Sequence, residues 1–194
     1  GPYAGQLLVG EMNKGRIMRV MLEKIGGKLQ GACLPFFDGN GLNTGNNRLC
    51  FSPDGKTLWI GHSSHGWAGN RGIQKLTWSG KTPVDVLRVN LTESGFSLTF
   101  TVPVDKTLAL SKDSYAIKSY SYKYHQSYGS PQVNARKLTV EKATLSVDGR
   151  TVTLDLPEMQ PRRLYEISLK AIKTSEGHAL LNPLLVYHAH NLRK

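Results

Sequence analysis

The chain has 194 residues and 39% apolar content, enough for one large domain or two small ones whose core needs neither metal nor disulfide. Its 20 glycines and recurring short runs of Val, Leu, Ile and Thr exclude a mainly helical protein. The net charge of +11 is spread without any block of five like charges, which argues against a dedicated nucleic-acid arm and leaves a basic surface.

Residues 1–81 hold 10 basic and 4 acidic side chains, and residues 82–194 hold 15 and 10. No apolar stretch approaches the roughly 18 residues that span a bilayer. The longest, 179–187, is interrupted by Asn182 and Pro183. No segment reads as a signal peptide, and the chain opens on Gly1-Pro2 without Met, as a processed product, a protease-trimmed engineered piece or a partial chain would.

In chain order, the pattern predicts a strand over 6–12 and a turn at Lys14-Gly15. Residues 16–25 alternate; they also fit a short helix, but Gly26-Gly27 followed by 28–36 favours a hairpin. A Gly/Asn loop over 38–47 leads to short strands at 48–52, 57–61 and 73–80, with Pro53-Asp54-Gly55 joining the first two. Composition shifts near 79–86. Two strands then flank Ser94-Gly95 within 86–105, and one helical turn is expected after Asp105. Strands are expected over 114–124, 137–147, 151–156 and 163–172. About six or seven strands in the second part suit a small sandwich. Residues 51–61 and 145–156 share Ser-x-Asp-Gly, a basic residue and Thr. We read this as common turn chemistry, because Asp-Gly between alternating strands supplies a residue tolerant of positive φ.

The densest polar set is His62, His65, Trp67, Asn70 and Arg71, within "GHSSHGWAGNRG". Two histidines without an acid fall short of a metal site, which needs three or four rigid ligands. The same set suits a carbohydrate, with Trp over the apolar ring face and Asn and Arg on hydroxyls. It also suits a purely structural loop. His188 and His190 would share one face of a strand, a spacing that can chelate metal with His178 or His125 as third ligand; two exposed terminal histidines is the simpler reading. Tyr120, Tyr122 and Tyr124, at period two, read either as an interaction surface or as cross-strand packing. Cys33 and Cys50 are either a disulfide or two thiols. Ser63 and Ser64 have no nearby acid to orient a base, and no G-x-S-x-G elbow occurs, so nucleophilic catalysis finds no support. No catalytic residue is assigned.

Residues 3–80, with "YAGQLLVGEMNKGRIMRVMLEKIGGKLQGAC" and "GWAGNRGIQKLTWSGKTP", resemble the last blades of a six-bladed β-propeller. The kind is that of secreted glucose/sorbosone dehydrogenase-like proteins of planctomycetes and verrucomicrobia. Residues 95–194, with "GFSLTFTVPVD", "YKYHQSYGSP" and "YEISLKAIKTSEGHALLNPLLVYH", resemble the bacterial Ig-like sandwich that follows such propellers. The resemblance implies an all-β protein. Residues 1–81 would form propeller-blade-like strands and 82–194 an Ig-like sandwich, in the periplasm or outside the cell. It carries over no catalytic residue, because the family's catalytic side chains come mostly from earlier blades. Pyrroloquinoline quinone and calcium belong to those blades, and no cofactor is expected for this chain alone. The expectation is therefore a non-catalytic module for binding or assembly within a larger protein or complex. Its partner would be a protein, the missing blades or a carbohydrate, and not a specific nucleic acid. The alternative is the C-terminal piece of a quinone-dependent sugar dehydrogenase-like enzyme.

Overall fold

The computed structural model describes residues 1–39, 41–64, 66 and 69–193. The fold is all-β, built from antiparallel sheets. It divides into two compact units, Gly1–Val20 with Cys33–Thr82, and Met21–Ala32 with Pro83–Lys194. The hairpin of β2 (Arg16–Ile25) and β3 (Lys28–Asp38) is shared: its base counts with the first unit and its tip with the second.

In the first unit, β1 (Leu7–Gly10) pairs with the base of β2, from Leu7 opposite Val20 to Gly10 opposite Ile17. A three-stranded meander follows, β4 (Asn46–Phe51), β5 (Thr57–His62) and β6 (Gly72–Thr77), in that spatial order. Strand side chains alternate between faces. Leu58, Ile60 and His62 therefore turn inward along β5, while Trp59 turns out. Ile17, Leu42, Leu58 and Ile60 form the buried centre, with Leu8, Phe36, Leu49 and Leu76 packed around it. Arg19 is also buried; its guanidinium lies 3.8 Å from the Tyr3 ring centre and donates to Gln6 at 2.9 Å.

The second unit is sandwich-like. One sheet has the order β11 (Lys142–Leu145), β12 (Thr151–Asp155), β8 (Gly95–Phe100), β7 (Val86–Leu91). The other runs from the β2–β3 tip through β14 (Leu184–Ala189), β13 (Arg163–Ser168) and β9 (Ala116–Tyr122) to β10 (Gln132–Leu138). The sheets meet through Phe96 of β8, whose ring lies 5.6 Å from that of Tyr165 on β13 and 5.0 Å from that of Tyr187 on β14. The Tyr165 hydroxyl donates to the Gln160 carbonyl and accepts from the Gln160 amide, both at 2.7 Å. Between β8 and β9, helix α1 (Lys106–Leu110) starts where the Asp105 carboxylate accepts from the Leu108 amide at 2.8 Å.

Glu23, on the hairpin tip, is the polar hub of this unit. Its carboxylate accepts from the Leu91 amide at 2.7 Å, the Tyr187 hydroxyl at 2.6 Å and Arg193 Nη2 at 2.9 Å. Burial, and next the bond to this carboxylate, push the Tyr187 hydroxyl above its ordinary range.

The two Ser-x-Asp-Gly segments adopt one turn. Ser52 Oγ donates to Asp54 at 2.5 Å, which accepts from the Lys56 amide at 3.0 Å; Ser146 Oγ donates to Asp148 at 2.5 Å, which accepts from the Arg150 amide at 3.1 Å. Gly55 and Gly149 sit at φ +67° and +69°.

The helical turn expected after Asp105 is α1. The single strand expected over 137–147 is instead the end of β10, a break at 139–141, and β11, because the chain leaves one sheet for the other there. The final strand, β14, falls in an apolar run that carried no separate strand expectation.

Candidate binding surfaces

The loop around residues 61–71 is tied to the loop before β4. Asn70 Oδ1 accepts from the Thr44 amide at 3.0 Å and from its hydroxyl at 2.7 Å. The Ser63 amide donates to the Gly45 carbonyl at 3.0 Å, and Asn47 Nδ2 donates to Ser63 Oγ at 3.1 Å. The approach is too close for side chains: a Cβ on Gly69 would stand 2.3 Å from the Ser63 carbonyl oxygen, and one on Gly45 would stand 2.6 Å from it. Asn70 is thus occupied in holding the loop, and Arg71 is exposed.

His62 ends the inward row of β5, opposite Asn46 on β4. It is 8% exposed, and among the described residues neither ring nitrogen has a hydrogen-bond partner. Asn46 Nδ2 spans the β1–β2 turn, donating to the carbonyls of Glu11, Lys14 and Arg16 at 3.0–3.3 Å. His65 and Trp67 lie outside the described residues.

The metal candidates remain apart. His188 and His190 stand side by side near the C-terminus with ring centres 6.3 Å apart. His188 is exposed on β14, but partial desolvation of its ring, and next the neighbouring His190, hold the imidazole below the ordinary histidine range. Among the described residues no three His, Cys, Asp or Glu side chains gather at one place. His178 pairs with Glu176 at 3.5 Å. Cys33, half-buried on β3, and Cys50, exposed on β4, are free thiols, and burial raises the Cys33 thiol.

The tyrosine row divides. Tyr120 is 3% exposed in the core, and burial, with Tyr122 next to it, pushes its hydroxyl up to about 12. Tyr122 is half exposed, its ring 5.5 Å from that of Tyr120. Tyr124 lies beyond the end of β9 and is fully exposed, as is Tyr128, a residue that the period-two pattern does not reach. Both sit in the loop 123–131 that joins β9 to β10.

The base of this hairpin is pinned. Arg163 is buried on β13; its Nε donates to Ser119 Oγ at 3.1 Å and its Nη2 to the carbonyl of Asn134, at the bulge of β10. Lys118 reaches Glu166 at 3.2 Å and Gln132 at 3.2 Å, and Arg136 Nη2 donates to the Glu158 carbonyl at 2.6 Å. At the tip, Ser130 Oγ accepts from the Lys123 amide at 2.9 Å. Residues 114–140 include five tyrosines and four Lys or Arg but no Asp or Glu. The result is a hydrogen-bonded stem carrying exposed aromatic rings among hydroxyls and a lysine.

No family model matches the chain, and neither a curated protein nor a solved structure matches it.

Proposed function

We propose that this chain is a non-catalytic, extracytoplasmic β module that binds or assembles with a partner protein. The observation that carries the reading is the β9–β10 hairpin, with Tyr124 and Tyr128 fully exposed on a pinned stem. Tyrosines anchor interfaces because they bury a large area while fixing only two torsions and keep a hydroxyl for hydrogen bonding.

An Ig-like second unit is favoured by its strand order. Lettered A to G with a C′ after C, β7 to β14 give sheets A-B-E-D and G-F-C-C′. Tyr165, near the start of β13 in that scheme's F position, bonds back to the Gln160 backbone as a tyrosine corner does. A blade-like first unit is favoured by the β4–β5–β6 meander, joined at one end by an Asp-Gly turn. The same meander favours the second reading, in which the chain ends a quinone-dependent sugar dehydrogenase-like propeller. Adding pyrroloquinoline quinone and calcium to the chain and following dye reduction separates the two; the binding reading expects none.

A photocrosslinking amino acid tests the main reading directly. Placed at Tyr124 or Tyr128 in source cells, it is expected to yield one discrete adduct. Val147, equally exposed on the β11–β12 turn, serves as control. No adduct, or the same adduct from position 147, overturns the reading.

A further inference from the structure

The outward face of the β4–β5–β6 sheet presents a second, independent surface. Trp59 stands at its centre, 45% exposed, opposite Lys75 on β6. The Lys75 ammonium lies 5.6 Å from the ring centre, on its face. Two residues along β5 on the same face is Gly61, between Arg48 of β4 and Ile73 of β6. Without a side chain there, Gly61 leaves a floor beside the indole, walled by Arg48 and by Ile73, itself 73% exposed. On the other side of Trp59, Thr57 and Thr77 pair across the strands and offer hydroxyls. Trp59 and Ile73 are the large exposed apolar side chains of this face.

The charge around it is one-sided. Residues 39–84 carry Arg48, Lys56, Arg71, Lys75 and Lys81 against a single acid, Asp54. Asp54 is engaged within its own turn by Ser52 and the Lys56 amide. Among the described residues none of the five cations forms a salt bridge. Arg48 engages only Nη1, with Asn47. Of these, Arg48 and Lys75 stand on the Trp59 face itself, and two cations without an acid partner beside an aromatic and a notch are complementary to an anion that also carries a ring with one apolar face.

We infer that this face binds an acidic polysaccharide of uronic-acid residues. One sugar ring lies on the Gly61 floor with its C–H face against Trp59. Its carboxylate meets Lys75 or Arg48, and hydroxyls of the neighbouring sugar reach Thr57 and Thr77. A single-stranded nucleic acid fits less well, because platforms for it offer aromatic rings to successive bases. Here Trp59 is the one aromatic side chain among the outward residues of the three strands, which are all described.

The test titrates the full chain with polygalacturonate, following tryptophan fluorescence and calorimetry, beside dextran, oligo(dT) and poly-glutamate. Polygalacturonate is expected to bind, more weakly as salt rises, and dextran not at all. Trp59→Ala is expected to weaken binding by about tenfold, as the loss of one stacked ring does. Lys75→Ala weakens it too, and Tyr124→Ala leaves it unchanged. Gly61→Leu keeps every charge and the indole but fills the notch, so it is expected to abolish binding even if Trp59→Ala proves unstable. Unchanged affinity in Gly61→Leu and in a folded Trp59→Ala overturns the inference, as does no binding of polygalacturonate. Equal binding of dextran, or equally tight, Trp59-dependent binding of oligo(dT) or poly-glutamate, also overturns it.

Discussion

His188 is the residue whose environment makes the clearest solution prediction. Partial desolvation and the neighbouring His190 lower its affinity for a proton in the folded state, so the unfolded chain binds more protons as the pH falls past the ordinary histidine value of about 6.5. The stabilisation is therefore complete above that value and is lost as the pH falls through the lower folded value. An NMR titration is expected to place the His188 midpoint below 6.5, the ordinary value given for histidine. His190→Gln is expected to raise that midpoint part of the way, since desolvation, the larger cause, remains. At this scale the sequence told part of the story. Period two aligned Tyr120 with Tyr122 on one face, but that Tyr120 is covered while Tyr122 stays half exposed depends on residues distant in sequence, and that information is not local. Trp59 was readable in principle: a polar-tolerant aromatic between Leu58 and Ile60, both inward, has to point outward. Asn70 looked like a ligand group because Thr44, its actual partner, is 26 positions away.

At the scale of elements, the strongest local signal was the Ser-x-Asp-Gly turn, whose two copies close with matching hydrogen bonds. Gly55→Ala and Gly149→Ala both force a side chain into the left-handed region, at about 1–2 kcal/mol each. Only at Gly149 does the new Cβ also press on a neighbour, Pro103 Cβ at 3.3 Å, whereas Gly55 faces open space. Chemical denaturation is expected to show the larger loss for Gly149→Ala. Strands flanked by such turns were legible. The strand β14 was not, because Asn182-Pro183 breaks its apolar run and its pairing partner β13 begins 21 positions earlier by residue number, Arg163 against Leu184. The role of Glu23 was equally hidden. Its partners Leu91, Tyr187 and Arg193 are distant in sequence, and only the fold brings them to one carboxylate. Glu23→Gln removes the charge that these donors and Asn90 Nδ2 share while preserving shape, and is expected to destabilise by roughly 2–3 kcal/mol in the same assay. Arg193→Ala, at the exposed side of the hub, is expected to cost less.

For the molecule as a whole, composition and charge set the class before any element was placed. Glycine content and short β-branched runs pointed to an all-β chain, and the antiparallel sheets bear that class out. The expected family likeness adds the propeller and Ig-like readings, and the strand order of the second unit is what supports the latter most. Within His62 to Arg71, Ser63 and Asn70 brace the loop against Asn47 and Thr44, while Arg71 is exposed.

The measurement closest to the central claim is co-purification of the full chain from an envelope extract of source cells, with Tyr124→Ala/Tyr128→Ala and Val147→Ala variants in parallel. All three side chains are fully exposed, so each protein is expected to melt at the same temperature. The account predicts one stoichiometric partner with the wild type and with Val147→Ala, and at least about a tenfold loss in the double tyrosine variant. Equal recovery by the tyrosine variant would contradict it.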